Sequence, residues 1–471
     1  MEKVGVLVVS YGAREAAMID TFQRSRNYRV DTYVVDKQKN PFNVRAAVEH
    51  VVVPDLDVNI ICKFASRRQD RIDFGIVGPE KPIINGIRDV IEGKTNIPMI
   101  CPTKRCAIEA SKVTQRRLFE KAEPTMNPRF KVFSPKEFRS KADVKKAVYA
   151  WLDELGNQAV VKPDVPAAGK GVGVWGDHFD TRAQLFTHFL ANFEHGQVIV
   201  EEKIDGEESS FQAFCDGKSI VALPDTRDYK RAFDGDKGPN TGGMGSYKNK
   251  GTLLPYMAPE DREKEVEIVN RVFNLIKKQR PGHELRGVPF YMAFSHTAKG
   301  PKVLENNSRP GDPEIINLLP LLKADFTDIC FKMIEGSLTR VEVESKASVV
   351  TYKAPPSYGG FIDVFPDKVN KEGIGKPVKL DKAYKLVKEH DGNVRVYAAS
   401  MEQRNGESYA LASRAVAVVG IADTILNARE LSLKGADAIE GGALWSRTDI
   451  ASSEHIQRSI EHMERLRRNS R

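Results

Sequence analysis

Apolar positions recur along this chain in two rhythms, and the changes between them mark its elements. Val4–Val9 is a β-branched run closed by Ser10-Tyr11-Gly12, and a helix-forming stretch follows from Arg14. Tyr33–Asp36, Val58–Cys62 and Ile72–Glu80 predict further strands, the last broken at Gly78-Pro79. A helical rhythm resumes from Ile83 to Ile91. Strand–helix alternation of this kind builds a doubly wound parallel α/β domain, here expected over residues 1–104. From Ala107 to Leu155 the pattern is helical and charged, interrupted at Glu123–Pro128. Strands are then predicted at Ala159–Pro163, Val198–Glu202, Ser209–Phe214, Pro289–Ser295 and Lys302–Asn306, with helices at Thr181–Phe193 and Pro259–Lys278. Past residue 340 the chain turns β-rich at Ala347–Tyr352, Asn393–Ala398 and Ala415–Ala422. A helix near Ala428–Leu433 and a basic helical tail close it, so residues 341–471 are expected to form a C-terminal β-rich domain.

Composition narrows the partners. A chain of 471 residues is too long for a single core, and 41% hydrophobic with 29% charged residues is ordinary for a globular protein. The net charge of +8 favours anionic ligands. No arginine-rich arm or interleaved basic–aromatic ladder accompanies it, so small phosphorylated molecules are expected rather than nucleic acid. Five scattered cysteines without a Cys-x-x-Cys pair point to a reducing compartment. With no 18-residue apolar run, no membrane span is predicted, and a cytoplasmic location is expected.

Three segments carry chemistry. Asp228–Tyr247 packs two lysines, an arginine and five glycines into twenty residues. This mixture disfavours helix and strand and suits a loop that lays N–H groups and cations against phosphate. Ala168–Gly173 is a short glycine loop holding Lys170, with Lys162 on the strand before it. It lacks the spacing of a P-loop, but Gly169, Lys170 and Gly171 suit a lid over nucleotide phosphates. In Leu304–Arg309 side chains two apart share a strand face, so Glu305, Asn307 and Arg309 point together. A carboxylate beside an amide oxygen is a hard donor pair for Mg²⁺ (or Mn²⁺) that also holds nucleotide phosphates. Val200–Ser210 reads either as an acidic hairpin or as a hinge presenting backbone to an adenine edge and a carboxylate to the ribose.

Together these motifs resemble the phosphoribosylamine–glycine ligase family of ATP-grasp enzymes. The resemblance runs through Gly78-Pro-Glu80, Pro102-Thr with Glu109–Lys112, Ala167–Gly171, Glu201-Glu202 with Asp205–Glu208, Asp228–Tyr247, Leu304–Glu314 and Arg447 with Asp449-Ile450. It implies central ATP-grasp lobes over residues 105–340, with a lid lobe at about 121–198. It also implies ATP-dependent joining of glycine to 5-phosphoribosylamine through a glycyl phosphate. By the same carry-over, ATP would meet Lys162, Gly169, Lys170, Gly171, Glu201, Glu202 and Glu208, and the metal would meet Glu305 and Asn307. Asp228, Lys230, Arg309 and Asp312 would be catalytic, while Arg14, Glu15, Pro239, Asn240, Thr241, Gly242 and Gly243 would bind substrate. The family opening Gly-Ser-Gly-Gly-Arg-Glu-His-Ala is Ser10–Ala17 here, which keeps Arg14 and Glu15 but loses two glycines and the histidine. A family glutamine of the metal set falls at Ala293. Expected partners are these small molecules, with no nucleic acid or membrane, and at most further copies of the chain in a homo-oligomer. A paralogue joining another acid or amine, or a nucleotide-binding regulator without turnover, are the competing readings.

Overall fold

The computed structural model describes residues 1–164, 171–279 and 285–469. The N-terminal region is a five-stranded parallel sheet in the order Glu49–Val52, Tyr28–Asp36, Glu2–Ser10, Phe74–Val77, Met99–Ile100. Its central strands are buried on both faces over most of their length, which explains their Val-rich runs. One expected strand is a helix: Val58–Ser66, capped by Asp57, whose side chain accepts from the N–H groups of Asn59 and Ile60. Its buried positions, Val58, Ile61, Cys62 and Ala65, follow a helical period. The strand that pairs with Tyr28–Asp36 at the edge is instead the short Glu49–Val52. The helical stretch predicted at Ile83–Ile91 is two helices, Glu80–Ile84 and Ile87–Glu92, parted at Gly86 with φ of 83°.

A second, four-stranded antiparallel sheet runs Phe130–Phe133, Val198–Glu202, Ala159–Pro163, Gly173–Val174. Helices Lys141–Glu154 and Arg182–Phe193 cover it, burying Phe133, Val148, Leu185 and Phe189. The strand Phe130–Phe133 falls inside the stretch read from sequence as helical.

The third body is a nine-stranded sheet. Its path is Gly300–Asn307, Arg286–Thr297, Glu207–Asp216, Thr226–Asp228, Gly245–Lys248, Ala347–Lys353, Val416–Ala422, Val394–Ala398, and Ile220–Ala222 adds to Glu207–Asp216. Gly245–Lys248 pairs antiparallel with Ala347–Lys353, so hydrogen bonding passes without a break into the C-terminal β-rich region. The glycine-rich stretch is therefore not the structureless loop its composition suggests. Both its ends belong to this sheet, and Arg231–Phe233 pairs with Lys237–Asn240 in a hairpin. Gly235 and Asp236 turn that hairpin with φ of 72° and 56°, left-handed backbone that glycine adopts freely and aspartate tolerates. Among the described residues no helix is long and apolar enough to cross a membrane.

Candidate active site between the four-stranded and nine-stranded sheets

Lys162 extends from the four-stranded sheet and forms an ion pair with Glu201 of the neighbouring strand. The second oxygen of Glu201 lies 2.6 Å from Arg116 Nε, and both side chains are almost fully buried. Burial alone would raise the Glu201 pKa, but the charges of Arg116 and Lys162 outweigh it and hold the carboxyl below the usual range. Arg116 also donates to Asn127 Oδ1 (3.1 Å) and to the carbonyls of Val303 and Leu304 (both 2.8 Å). One guanidinium thus joins the strand of Glu201 to the residues just before Glu305. Glu202, next in the strand, faces the other way and pairs with Arg129 at 2.9 Å. Gly171 adopts φ of 84°, and its carbonyl lies 2.9 Å from His188 Nε2. Gly169 and Lys170 lie outside the described residues.

Glu305 and Asn307 share one face of Gly300–Asn307, with Asn307 Nδ2 3.4 Å from Glu305 Oε1. Between them Asn306 is fully buried, and its N–H donates to Gln115 Oε1 at 2.8 Å. A bulge in the ladder brings Ala293 directly opposite Glu305, leaving a small side chain beside the carboxylate. Burial would raise Glu305, yet Lys230, Lys112, Lys162 and Arg309 together keep its pKa low, so it stands as a carboxylate ringed by cations.

Lys230 Nζ sits 3.0 Å from Glu208 Oε2 and 3.9 Å from Asp228 Oδ2. Despite burial, these carboxylates and Tyr291 hold Lys230 firmly as an ammonium. Asp228 behaves oppositely: burial, then the Glu314 carboxylate, push its pKa well above the carboxylate range. Its Oδ1 is buried without a hydrogen-bond partner. A polar atom left in that state ordinarily has a missing partner, such as a ligand. Gly243 packs against it at φ of 101°, where an added Cβ would come 2.5 Å from Asp228 Oδ1 and 2.6 Å from Pro313 Cδ. Gly243→Ala is accordingly expected to lower kcat/KM at least about tenfold by displacing Asp228. Steady-state rates with thermal melting of the same preparation check it.

Arg309 lies past the strand end, 3.3 Å from Glu109 Oε1 and 3.5 Å from Glu80 Oε2. Asp312 accepts from Tyr352 OH at 2.5 Å and lies 3.3 Å from Arg414, whose guanidinium also donates to the carbonyls of Gly242 and Gly243 at 2.8 Å. Thr241 Oγ1 donates to the Lys230 carbonyl at 2.9 Å, and Asn240 pairs with Arg231 across the hairpin. Pro239 lies on the exposed arm of that hairpin. Glu15 caps its helix, accepting from Gly12 N (2.8 Å), Tyr11 N (3.2 Å) and Arg14 Nε (2.6 Å). Arg14 reaches on to the Pro310 carbonyl at 2.9 Å. Both are buried and engaged in holding the Ser10–Gly12 loop against residues 310–312, where Gly12 faces Asp312.

The structure thus gathers Lys162, Lys230 and Arg309 around Glu305 and Asn307, with Glu208 and Asp228 on Lys230, while Glu202 turns away to Arg129. It adds Arg116, Glu314, Tyr291, Tyr352 and Arg414. Sequence offered a signal for only one of these: Glu314 closes the Leu304–Glu314 segment that matches a family motif, whereas Arg116, Tyr291, Tyr352 and Arg414 stand in none of the segments that carry the resemblance.

Residues 4–109 match the family profile for the N domain of phosphoribosylglycinamide synthetase, and residues 114–315 match that for its ATP-grasp (A) domain. Phosphoribosylamine–glycine ligase of Methanosarcina barkeri is 34% identical over 465 residues, covering 98% of this chain and 99% of that one. The Methanocella arvoryzae enzyme of the same name is 36% identical over 470 residues, with the same coverage. The crystal structure of phosphoribosylamine–glycine ligase from Thermotoga maritima superposes with a TM-score of 0.73 at 24% identity, covering 95% of this chain and 100% of that one. At 15% identity and a TM-score of 0.63, the fold is also shared with the biotin carboxylase domain of Hydrogenobacter thermophilus 2-oxoglutarate carboxylase, over 98% of this chain and 93% of that one; that structure was solved with MgADP. Identity at this level across the full length of archaeal relatives, with both profiles in order, shows that the chain belongs to the phosphoribosylamine–glycine ligase family.

Proposed function

We propose that this chain joins glycine to 5-phosphoribosylamine with cleavage of ATP, forming glycinamide ribonucleotide, ADP and phosphate in purine biosynthesis. The observation that carries the reading is the Glu305–Asn307 donor pair encircled by Lys162, Lys230 and Arg309. Family names of the relatives supply the substrates. The reading divides the chain into residues 1–104, 105–340 and 341–471, with residues 121–198 as a lid, and places it in the cytoplasm.

A carboxylate and an amine do not condense in water, because hydroxide is a poor leaving group. The glycine carboxylate oxygen attacks the γ-phosphorus, the bond to the β–γ bridging oxygen breaks, and ADP leaves. The amine nitrogen then attacks the acyl carbon, phosphate departs with the C–O electron pair, and one proton leaves nitrogen. The protein's share is positioning and charge neutralisation. Lys162 and Lys230 would neutralise phosphate oxygens, and Glu208 would orient the nucleotide. Arg309, anchored by Glu80 and Glu109, would face the transferring group. Asp228, its pKa raised by burial and Glu314, is suited to take the amine proton. Gly242 and Gly243, held by Arg414, would let backbone approach the acceptor.

Among the described residues no three His, Cys, Asp or Glu side chains form a ready-made metal cluster. Glu305 and Asn307 are hard oxygen donors and would hold Mg²⁺ or Mn²⁺, which would screen phosphate charge.

Initial rates of ADP release test the reading. Fast release is expected only when ATP, Mg²⁺, glycine and 5-phosphoribosylamine generated in the assay are all present. Release that responds only to another acid or amine, or none at all, sinks it.

A further inference from the structure

Glu207 and Glu208 open one strand and face opposite ways. Glu208 meets Lys230 in the cleft, whereas Glu207 turns to the C-terminal helix Ser453–Asn469, where His462 Nδ1 lies 2.7 Å from its Oε1. Arg227 locks this arrangement, donating to Glu207 Oε2 at 2.8 Å and to the Glu208 carbonyl at 3.2 Å. Tyr256 OH donates to the same carbonyl. Seven residues earlier on the same face of the helix, His455 Nε2 lies 2.7 Å from Asp236, and its ring sits 4.8 Å from that of Tyr229. Tyr229 stands between Asp228 and Lys230, and its hydroxyl accepts from Ala451 N at 2.9 Å. One helix therefore touches both segments whose meeting makes the Glu208–Lys230 contact. Ile456, Ile460 and Met463 anchor it in an apolar cluster.

We propose that the C-terminal helix is a positioning element of the nucleotide site: His462 on Glu207 and His455 behind Tyr229 fix Glu208 relative to Lys230 and so set ATP affinity. The inference rests on the reading of Glu208 as a nucleotide-side residue. His462 is a positioning residue, acting through Glu207 and Arg227. Burial would raise the Glu207 pKa, but the Arg227 charge and hydrogen bonds with His462 and Ser459 hold it low.

The test is a set of full-length variants compared for ATP KM, kcat and ADP affinity by calorimetry. His462→Ala is expected to raise KM and weaken ADP binding about five- to tenfold, the scale of one charge-assisted hydrogen bond, with kcat within about twofold. His462→Gln keeps an N–H donor for Glu207 and is expected to recover most of the loss. Asp205→Asn removes the exposed second partner of His462, 3.0 Å from Nε2, and is expected to leave ATP KM within about twofold, since it does not reach Glu208. Unchanged ADP affinity in His462→Ala, while Glu208→Gln weakens it, overturns the positioning role alone. A loss in His462→Ala that falls on kcat, tracks melting temperature and is not rescued by glutamine also overturns it. Unchanged ADP affinity in Glu208→Gln removes the reading of the site, and the inference with it.

Discussion

Replacing Glu305 with alanine is expected to lower kcat by about a thousandfold or more while the protein stays folded and still binds nucleotide. Glu305 is a carboxylate surrounded by Lys230, Lys112, Lys162 and Arg309, and those cations overcome the burial that would otherwise protonate it. Removing it costs the charged member of the donor pair and leaves the cations in place. Attraction for the nucleotide anion therefore persists, while the means of holding a divalent cation against the phosphates goes. Ala293 opposite is too small to substitute. Single-turnover assays with ADP calorimetry separate the two effects. Near-normal turnover in Glu305→Ala would remove the metal assignment.

Arg116→Met should show the largest stability effect, a loss of about 3–5 kcal/mol, because it breaks a buried ion pair from one side only. Glu201 would keep Lys162 but lose the guanidinium 2.6 Å away, and the carbonyls of Val303 and Leu304 and the amide of Asn127 would lose their donor. The same change loosens the link between the strand of Glu201 and the strand carrying Glu305, so ATP KM should rise with the fall in stability. Denaturant unfolding followed by fluorescence, alongside ATP kinetics, measures both. A loss under about 1 kcal/mol would mean that the pair behaves as a solvated surface contact.

Much of this arrangement was legible in the chain because it is local. Alternation in Leu304–Arg309 put Glu305 and Asn307 on one face, and the structure finds them 3.4 Å apart. Strand–helix alternation over the first hundred residues gave a parallel sheet, as observed. Local signals also misled. Val58–Cys62 is a short apolar run that fits strand and helix equally, and Asp57 at its start decided for helix. In Asp228–Tyr247 glycine content argued for loop, but its ends pair with each other and with Glu207–Asp216 and Ala347–Lys353 inside the nine-stranded sheet.

By itself the sequence determined the elements whose period and punctuation lie within a dozen residues, the excess of cations that suits phosphate, and the motifs that mark the family. Tertiary structure alone decided the rest: Arg116 bridging Glu201 to the strand of Glu305, Arg414 closing on Gly242 and Gly243, and the last helix stapled behind Glu207 and Tyr229. Each of these joins residues more than eighty positions apart. Periodicity records which face a residue occupies, whereas the partner on that face is chosen by strand order and by the need of every buried charge for a counter-charge.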